Sequence, residues 1–209
     1  GLEGRDKERN DLSYLVYLFS RDSIGNFKKK YLNYIIMGPA GAGKTTIAVI
    51  ISKVLSTIGC LLKEDQPKPI TREDLVGQYI GQTGPKTKKQ LFKHLETVMF
   101  IDQAYQLPKC TKEFIDDEDV WRPDSGQDYG MESITEIVNF LDKNVEQISV
   151  LAAGYEAPMI ECFLAANEGM PRRFPNHIKL VTFSPEKLFD ILVLNLKTKL
   201  KNNKKLLKL

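Results

Sequence analysis

The chain has 209 residues, 42% of them hydrophobic and 27% charged, a globular composition with room for one α/β core and a small appendage. No apolar run approaches membrane-spanning length, so a soluble, non-membrane protein is expected. The formal net charge of +3, with a pI near 8.6, is too mild to argue for nucleic acid as a partner.

The N-terminus, Gly1-Leu-Glu-Gly-Arg-Asp, is polar and lacks a secretory profile. Three cysteines, Cys60, Cys110 and Cys162, are an odd number without metal spacing, and the two histidines lie far apart. These features lead to the expectation of a reducing setting, the cytoplasm or another reducing intracellular compartment, and no zinc.

In residues 1–33, Leu12, Leu15, Val16 and Phe19 recur at helical spacing before a Lys-rich connector, which predicts a leading helix and linker. Tyr34-Ile35-Ile36-Met37 then reads as a strand, and behind it stands Gly38-Pro39-Ala40-Gly41-Ala42-Gly43-Lys44-Thr45, a complete G-x-x-x-x-G-K-T loop. Such a loop turns backbone N–H groups around a β-phosphate, lets Lys44 reach β/γ oxygens, and offers the Thr45 hydroxyl to Mg²⁺; Thr46 lies next to it. Ile47, Ile50, Ile51, Val54 and Ile58 give the following helix an apolar face and supply the strand–loop–helix context the motif requires. A nucleoside triphosphate and Mg²⁺ are therefore the expected ligands.

Pro67 and Pro69 flank a poor strand candidate, and Thr71-Arg-Glu-Asp74 has the form of a capping box. A helix is predicted over 86–95. Val98-Met99-Phe100-Ile101-Asp102 reads as a buried strand ending in the acid that holds Mg²⁺ through water. Residues 108–129, with Asp116, Asp117, Glu118 and Asp119 beside Trp121, read as an exposed insertion. Ile134, Ile137, Val138 and Leu141 mark one buried helix face. Strands are predicted over 148–153 and 178–181, and Ser184-Pro185-Glu186 starts a further helix. Lysines 197, 199, 201, 204, 205 and 208 crowd the end, read as a solvated face. Strands alternating with helices imply a parallel sheet sandwiched by helices, the P-loop NTPase form of α/β fold. Residues 1–183 would form this unit and 184–209 a short helical addition.

Beyond the phosphate loop, the chain carries Asp74-Leu-Val-Gly-Gln-Tyr-Ile-Gly81, Phe100-Ile-Asp102, Asp128-Tyr-Gly130, Ala153-Gly-Tyr155 and Arg173-Phe-Pro-Asn176. Together these resemble the AAA+ ATPases, in the branch of red-type Rubisco activase and the related sporulation and type VII secretion ATPases. The resemblance implies an AAA+ large subdomain, with 184–209 as the start of a truncated helical lid. It implies ATP hydrolysis by a ring, hexameric in the family and built from this chain or from it and a related subunit, acting on a protein client. Tyr79-Ile80-Gly81 is similar to the pore loop that grips extended polypeptide; the competing reading makes Tyr79 and Ile80 core residues. Arg173 falls at the arginine finger that completes a neighbour's site in trans, with Arg172 beside it.

At the family's catalytic Glu this chain has Gln103, an amide of similar size that cannot act as a base. Binding should survive and turnover should fall. The amide fits a nucleotide-gated scaffold or a deliberate trap of the ATP-bound state, and the intact surroundings favour the trap. Gly154-Tyr155 replaces the polar residue many relatives use to place water. A nucleic-acid motor is a less favoured alternative, supported only by the basic tail and by Lys86, Lys88, Lys89 and Lys93.

Overall fold

The computed structural model describes residues 32–63, 65–115, 118–123 and 129–202. The leading helix expected within 1–33, Asp116, Asp117, Asp128 and the last lysines, 204 to 208, lie outside the described residues. Five parallel strands make the central sheet: β1 (Tyr34–Met37), β2 (Pro69–Ile70), β3 (Val98–Asp102), β6 (Ser149–Gly154) and β7 (Asn176–Lys179). Their spatial order is β2-β3-β6-β1-β7. β1 is flanked by β6 and β7, with Tyr34 opposite both Leu151 and Asn176.

The central strands read as continuous apolar runs because both faces of the sheet are covered. Side chains alternate between two cores. Ile35, Met37, Met99, Ile101, Val150 and Ala152 join one of them, with Leu75, Leu91, Ile134, Ile137, Phe163 and Phe174. Tyr34, Ile36, Val98, Phe100, Leu151 and Ala153 join the other, with Ile47, Ile51 and Leu55. Helix α1 (Lys44–Thr57) covers the second core. Helices α2 (Arg72–Leu75), α3 (Thr83–Lys93) and α4 (Gly130–Lys143) cover the first. The parallel sheet sandwiched by helices is as the sequence predicts.

Local signals account for the element ends. Thr71 and Asp74 form the reciprocal capping box of α2, with the Thr71 N–H donating to Asp74 Oδ2 at 2.8 Å. Ile134, Ile137, Val138 and Leu141 form the buried face of α4. Asn33 ties the amino edge of the sheet together: its Oδ1 accepts from the Val150 N–H (2.7 Å) and its Nδ2 donates to the Arg173 carbonyl (2.8 Å). Helix α7 (Pro185–Asn202) follows Ser184, whose carbonyl accepts from the Leu188 N–H at 2.9 Å.

Three stretches go beyond what the sequence predicts. The exposed insertion carries an antiparallel hairpin, β4 (Cys110–Ile115) with β5 (Glu118–Pro123), of which Thr111 to Phe114 are exposed. After β6, a short turn of helix, α5 (Glu156–Pro158), runs into a π-helical turn over Met159–Leu164, and a four-residue α6 (Met170–Arg173) precedes β7. Cys110 and Cys162 form a disulfide between the hairpin and the π-helical turn, a pairing the odd cysteine count does not predict, and Cys60 is free.

Candidate functional site

The carboxyl ends of β1, β3 and β6 open onto a cavity of about 390 Å³. Its walls are Ala40 to Thr46, Asp102, Gln103, Tyr105, Gly154 and Tyr155. Clefts at the carboxyl edge of a parallel sheet are where such folds bind ligands.

The phosphate loop takes its shape from residues that only glycine suits. Gly41 and Gly43 have φ of 70° and 87°, where a side chain is strained. Gly38 is held down by its N–H to the Gly154 carbonyl (3.1 Å), and a Cβ there would sit 2.9 Å from Leu180 atoms. Gly38 and Pro39 lie behind the cavity, where their carbonyls accept hydrogen bonds from Lys44 Nζ, each at 2.9 Å. The same ammonium lies 5.4 Å from the centre of the Tyr155 ring. Burial pushes its pKa below the ordinary lysine value, and the Asp102 carboxylate pulls it partly back. Lys44 is thus parked on backbone carbonyls that a polyphosphate would replace with stronger, charged acceptors.

Asp102 closes β3 and accepts the Gln103 N–H at 3.0 Å. Gln103 has φ of 52°, a left-handed turn that lifts its side chain off the strand axis. Its Oε1 accepts from Gln106 Nε2 (2.7 Å) and from the Tyr105 hydroxyl (3.3 Å). The 3₁₀ turn Ala104–Gln106 that carries these groups is fastened by Arg72, which donates to the Gln106 carbonyl (2.7 Å) and to the Leu107 carbonyl. The Thr45 hydroxyl and the Asp102 carboxylate line one cavity, hard oxygen donors that suit Mg²⁺.

The sequence singles out Ala40 to Thr46, Asp102 and Gln103, and the structure brings them together. It does not bring Arg173 to them. Arg173 sits at the amino edge of the sheet, where Nε donates to Asp142 Oδ1 (3.0 Å), Nη2 pairs with Asp142 Oδ2, and Nη1 donates to the Gly169 carbonyl (3.1 Å). Arg172 beside it is exposed. Tyr79, Ile80 and Gly81 form the turn between α2 and α3, away from the cavity; Tyr79 is 68% and Ile80 81% exposed, so neither is a core residue. Gly81 has φ of 77°.

Tyr105 was missed by sequence reasoning. It lies 6.0 Å from the Tyr155 ring and 6.3 Å from Trp121, and its place three residues after Asp102 was the available signal. Burial, then the neighbouring Tyr155, raise its pKa, against a hydrogen bond with Gln106 that lowers it.

Residues 34–180 match the model of the ATPase family associated with various cellular activities (AAA). The chain is 34% identical over 188 residues to Protein CbbX of Cereibacter sphaeroides, covering 90% of this chain and 56% of that protein. It is 35% identical over 160 residues to the chloroplastic ribulose bisphosphate carboxylase/oxygenase activase of Cyanidioschyzon merolae, covering 77% and 50%. The chain spans about half the length of the curated relatives it matches. Among solved structures, the E. coli MS115-1 HORMA:CdnC:Trip13 complex aligns with a TM-score of 0.58 at 14% identity, over 88% of this chain and 64% of that one, a likeness of fold.

Proposed function

The chain belongs to the AAA family of ATPases, and on that premise we propose that it binds ATP·Mg²⁺, assembles into a ring, hexameric as its family suggests, and remodels a protein client. Hydrolysis, its activity by family, is held back by Gln103. The observation that carries this reading is the convergence of the Ala40 to Thr46 loop, Asp102 and Gln103 on one cavity. Loop N–H groups and the α1 N-terminus would hold the β-phosphate, while Lys44 would leave its two carbonyls for the β/γ oxygens. Thr45 and Asp102 would hold Mg²⁺, which supplies charge neutralisation on the phosphates.

The position of Gln103 supports the proposed suppression. A carboxylate at 103 would take a proton from attacking water; the carboxamide is too weak a base to do so, and its Oε1 is already engaged by Tyr105 and Gln106. Removal of a general base typically slows a reaction about 100- to 10,000-fold. Tyr79 and Ile80 supply an exposed apolar pad for the client, and Arg173 acts on a neighbouring subunit after exchanging Asp142 for phosphate oxygens. Helix α7 begins the lid. The kinship with a protein named as an activase of ribulose bisphosphate carboxylase/oxygenase supports a protein client. Gln103 also favours a second reading, an ATP-gated scaffold in which bound nucleotide stabilises assembly without turnover.

The test uses this chain with and without ATP·Mg²⁺, reading particle mass and capture of a fluorescently labelled unfolded polypeptide. Remodelling predicts ATP-dependent assembly and capture, with capture lost and ATP binding kept in Tyr79→Ala. Capture unchanged in that variant would remove the pore-loop role, and assembly without capture would favour the scaffold.

A further inference from the structure

Outside the nucleotide cavity, the feature that the proposed function leaves unused is the disulfide between Cys110 and Cys162, which joins residues 52 apart in the sequence. Cys110 stands at the base of the β4–β5 hairpin and Cys162 in the π-helical turn Met159–Leu164. Among the described residues the hairpin pairs only with itself and is not part of the five-stranded sheet. Thr111, Lys112, Glu113 and Phe114 of its outer strand are exposed. Two-stranded hairpins are marginal alone in water, so its seat on the domain depends on its tethers. Two besides the disulfide are a hydrogen bond from the Trp121 N–H to Glu161 Oε2 (2.8 Å) and the contact of the Trp121 and Tyr105 rings. All three tethers meet the same surface.

That surface is one residue from the cavity of the phosphate loop. Tyr105 lines the nucleotide cavity and also a second cavity of about 630 Å³, whose other walls include Arg72, Cys110, Trp121 and Tyr129. Through its hydroxyl Tyr105 touches Gln103, and its ring neighbours Tyr155, which stands over Lys44. A path therefore runs from the second cavity, which Cys110 and Trp121 both border, through Tyr105 to Gln103 and to the Tyr155 ring beside Lys44.

We propose that Cys110–Cys162 is a reversible redox-modification site, a latch whose bond seats the hairpin and sets the Tyr105 wall of the nucleotide cavity. Cys110 is half-buried and borders the second cavity, whereas Cys162 is fully buried. A dithiol is the reductant the site would take. Its thiolate attacks Cys110 Sγ, the S–S bond breaks, and Cys162 leaves as a thiolate that takes a proton. The second thiol of the reagent, as thiolate, then displaces Cys110, which is protonated in turn. Two electrons and two protons reach the cysteines, and the dithiol ends as a disulfide. The bond holds a peripheral hairpin rather than the five-stranded sheet, so it can open while the sheet keeps its pairing. The latch itself is independent of the nucleotide reading; its effect on ATP rests on it.

The experiment takes the full chain, oxidised and after dithiothreitol, and reads thiol count, far-UV circular dichroism, Trp121 fluorescence and ATP affinity by calorimetry. Trp121 is the single tryptophan, so its emission reports the hairpin alone. The latch predicts one thiol before reduction and three after, an unchanged far-UV spectrum, a red shift of Trp121, and ATP affinity altered about five-fold or more, the lower end of usual site–site couplings. Cys110→Ser should match the reduced form and ignore dithiothreitol, while Cys60→Ser should respond as the parent does. Three thiols before reduction, an unmoved Trp121 emission, or loss of far-UV signal on reduction would each overturn the latch. A moved Trp121 with equal ATP affinity in both states would overturn the coupling. A moved Trp121 with no ATP binding in either state would overturn the nucleotide reading and the coupling, and leave the latch supported.

Discussion

Asn33→Ala should cost about 1.5–4.5 kcal/mol of stability, far more than its size suggests. The side chain is 1% exposed and makes two hydrogen bonds, one to Val150 on β6 and one to the Arg173 carbonyl at the end of α6. Alanine keeps the third bond, in which the Asn33 carbonyl accepts from Asn176 Nδ2 (3.0 Å), because that uses the backbone. The Val150 N–H would be left buried without an acceptor, worth ~1–3 kcal/mol, and loss of the second bond adds ~0.5–1.5 kcal/mol. Equilibrium urea unfolding reads this directly: with a slope of about 2 kcal/mol per molar, the midpoint should fall by about 1–2 M at unchanged slope. A midpoint within about 0.25 M of the parent, equivalent to ~0.5 kcal/mol, would refute the assignment of Asn33 as the tie across the amino edge of the sheet.

Alkaline pH should destabilise the fold through Tyr34, whose phenol is pushed up to about 12 by burial and, secondarily, by nearby Cys60. The unfolded phenol loses its proton near pH 10 while the folded one keeps it, so stability falls as pH rises between those values, by ~1.4 kcal/mol per unit. Thermal melts between pH 9 and 12 check this; Tyr34→Phe should remove most of the slope, and an unchanged slope would count against it. For Lys44, whose pKa lies below the ordinary 10.5, a bound polyphosphate would favour the charged form. ATP affinity should therefore fall as pH rises through the pKa of the free protein. Calorimetric titrations across that range should show the fall in the parent, and Lys44→Ala should bind weakly with no such slope.

The central strands were legible because apolar residues run through both faces, as in Ile35-Ile36 and Phe100-Ile101. At the edges the signal weakens. β2 is two residues long, and β7 begins at Asn176, two residues before the predicted start, because the backbone of Asn176 and His177 pairs with β1 whatever their polarity. The β4–β5 hairpin escaped since its strands are largely polar and acidic; cross-strand pairing and a disulfide to a distant segment define it, and neither is written in a local pattern. Predicting α3 over 86–95 missed its true start at Thr83, where the Thr83 hydroxyl accepts from the Gly77 N–H (2.9 Å). The phosphate loop and Asp102 were readable because their chemistry fixes their spacing. The partners of Lys44 beyond the loop, the bridge of Tyr105 between two cavities and the pairing of Arg173 with Asp142 are products of tertiary packing.

Steady-state ATP hydrolysis by this chain beside Gln103→Glu, with ATP·Mg²⁺ affinity measured on the same samples, tests the central claim most directly. The account predicts comparable binding in both and turnover about 100- to 10,000-fold faster in the Glu form. Equal turnover in the two, or failure of this chain to bind ATP, would contradict it.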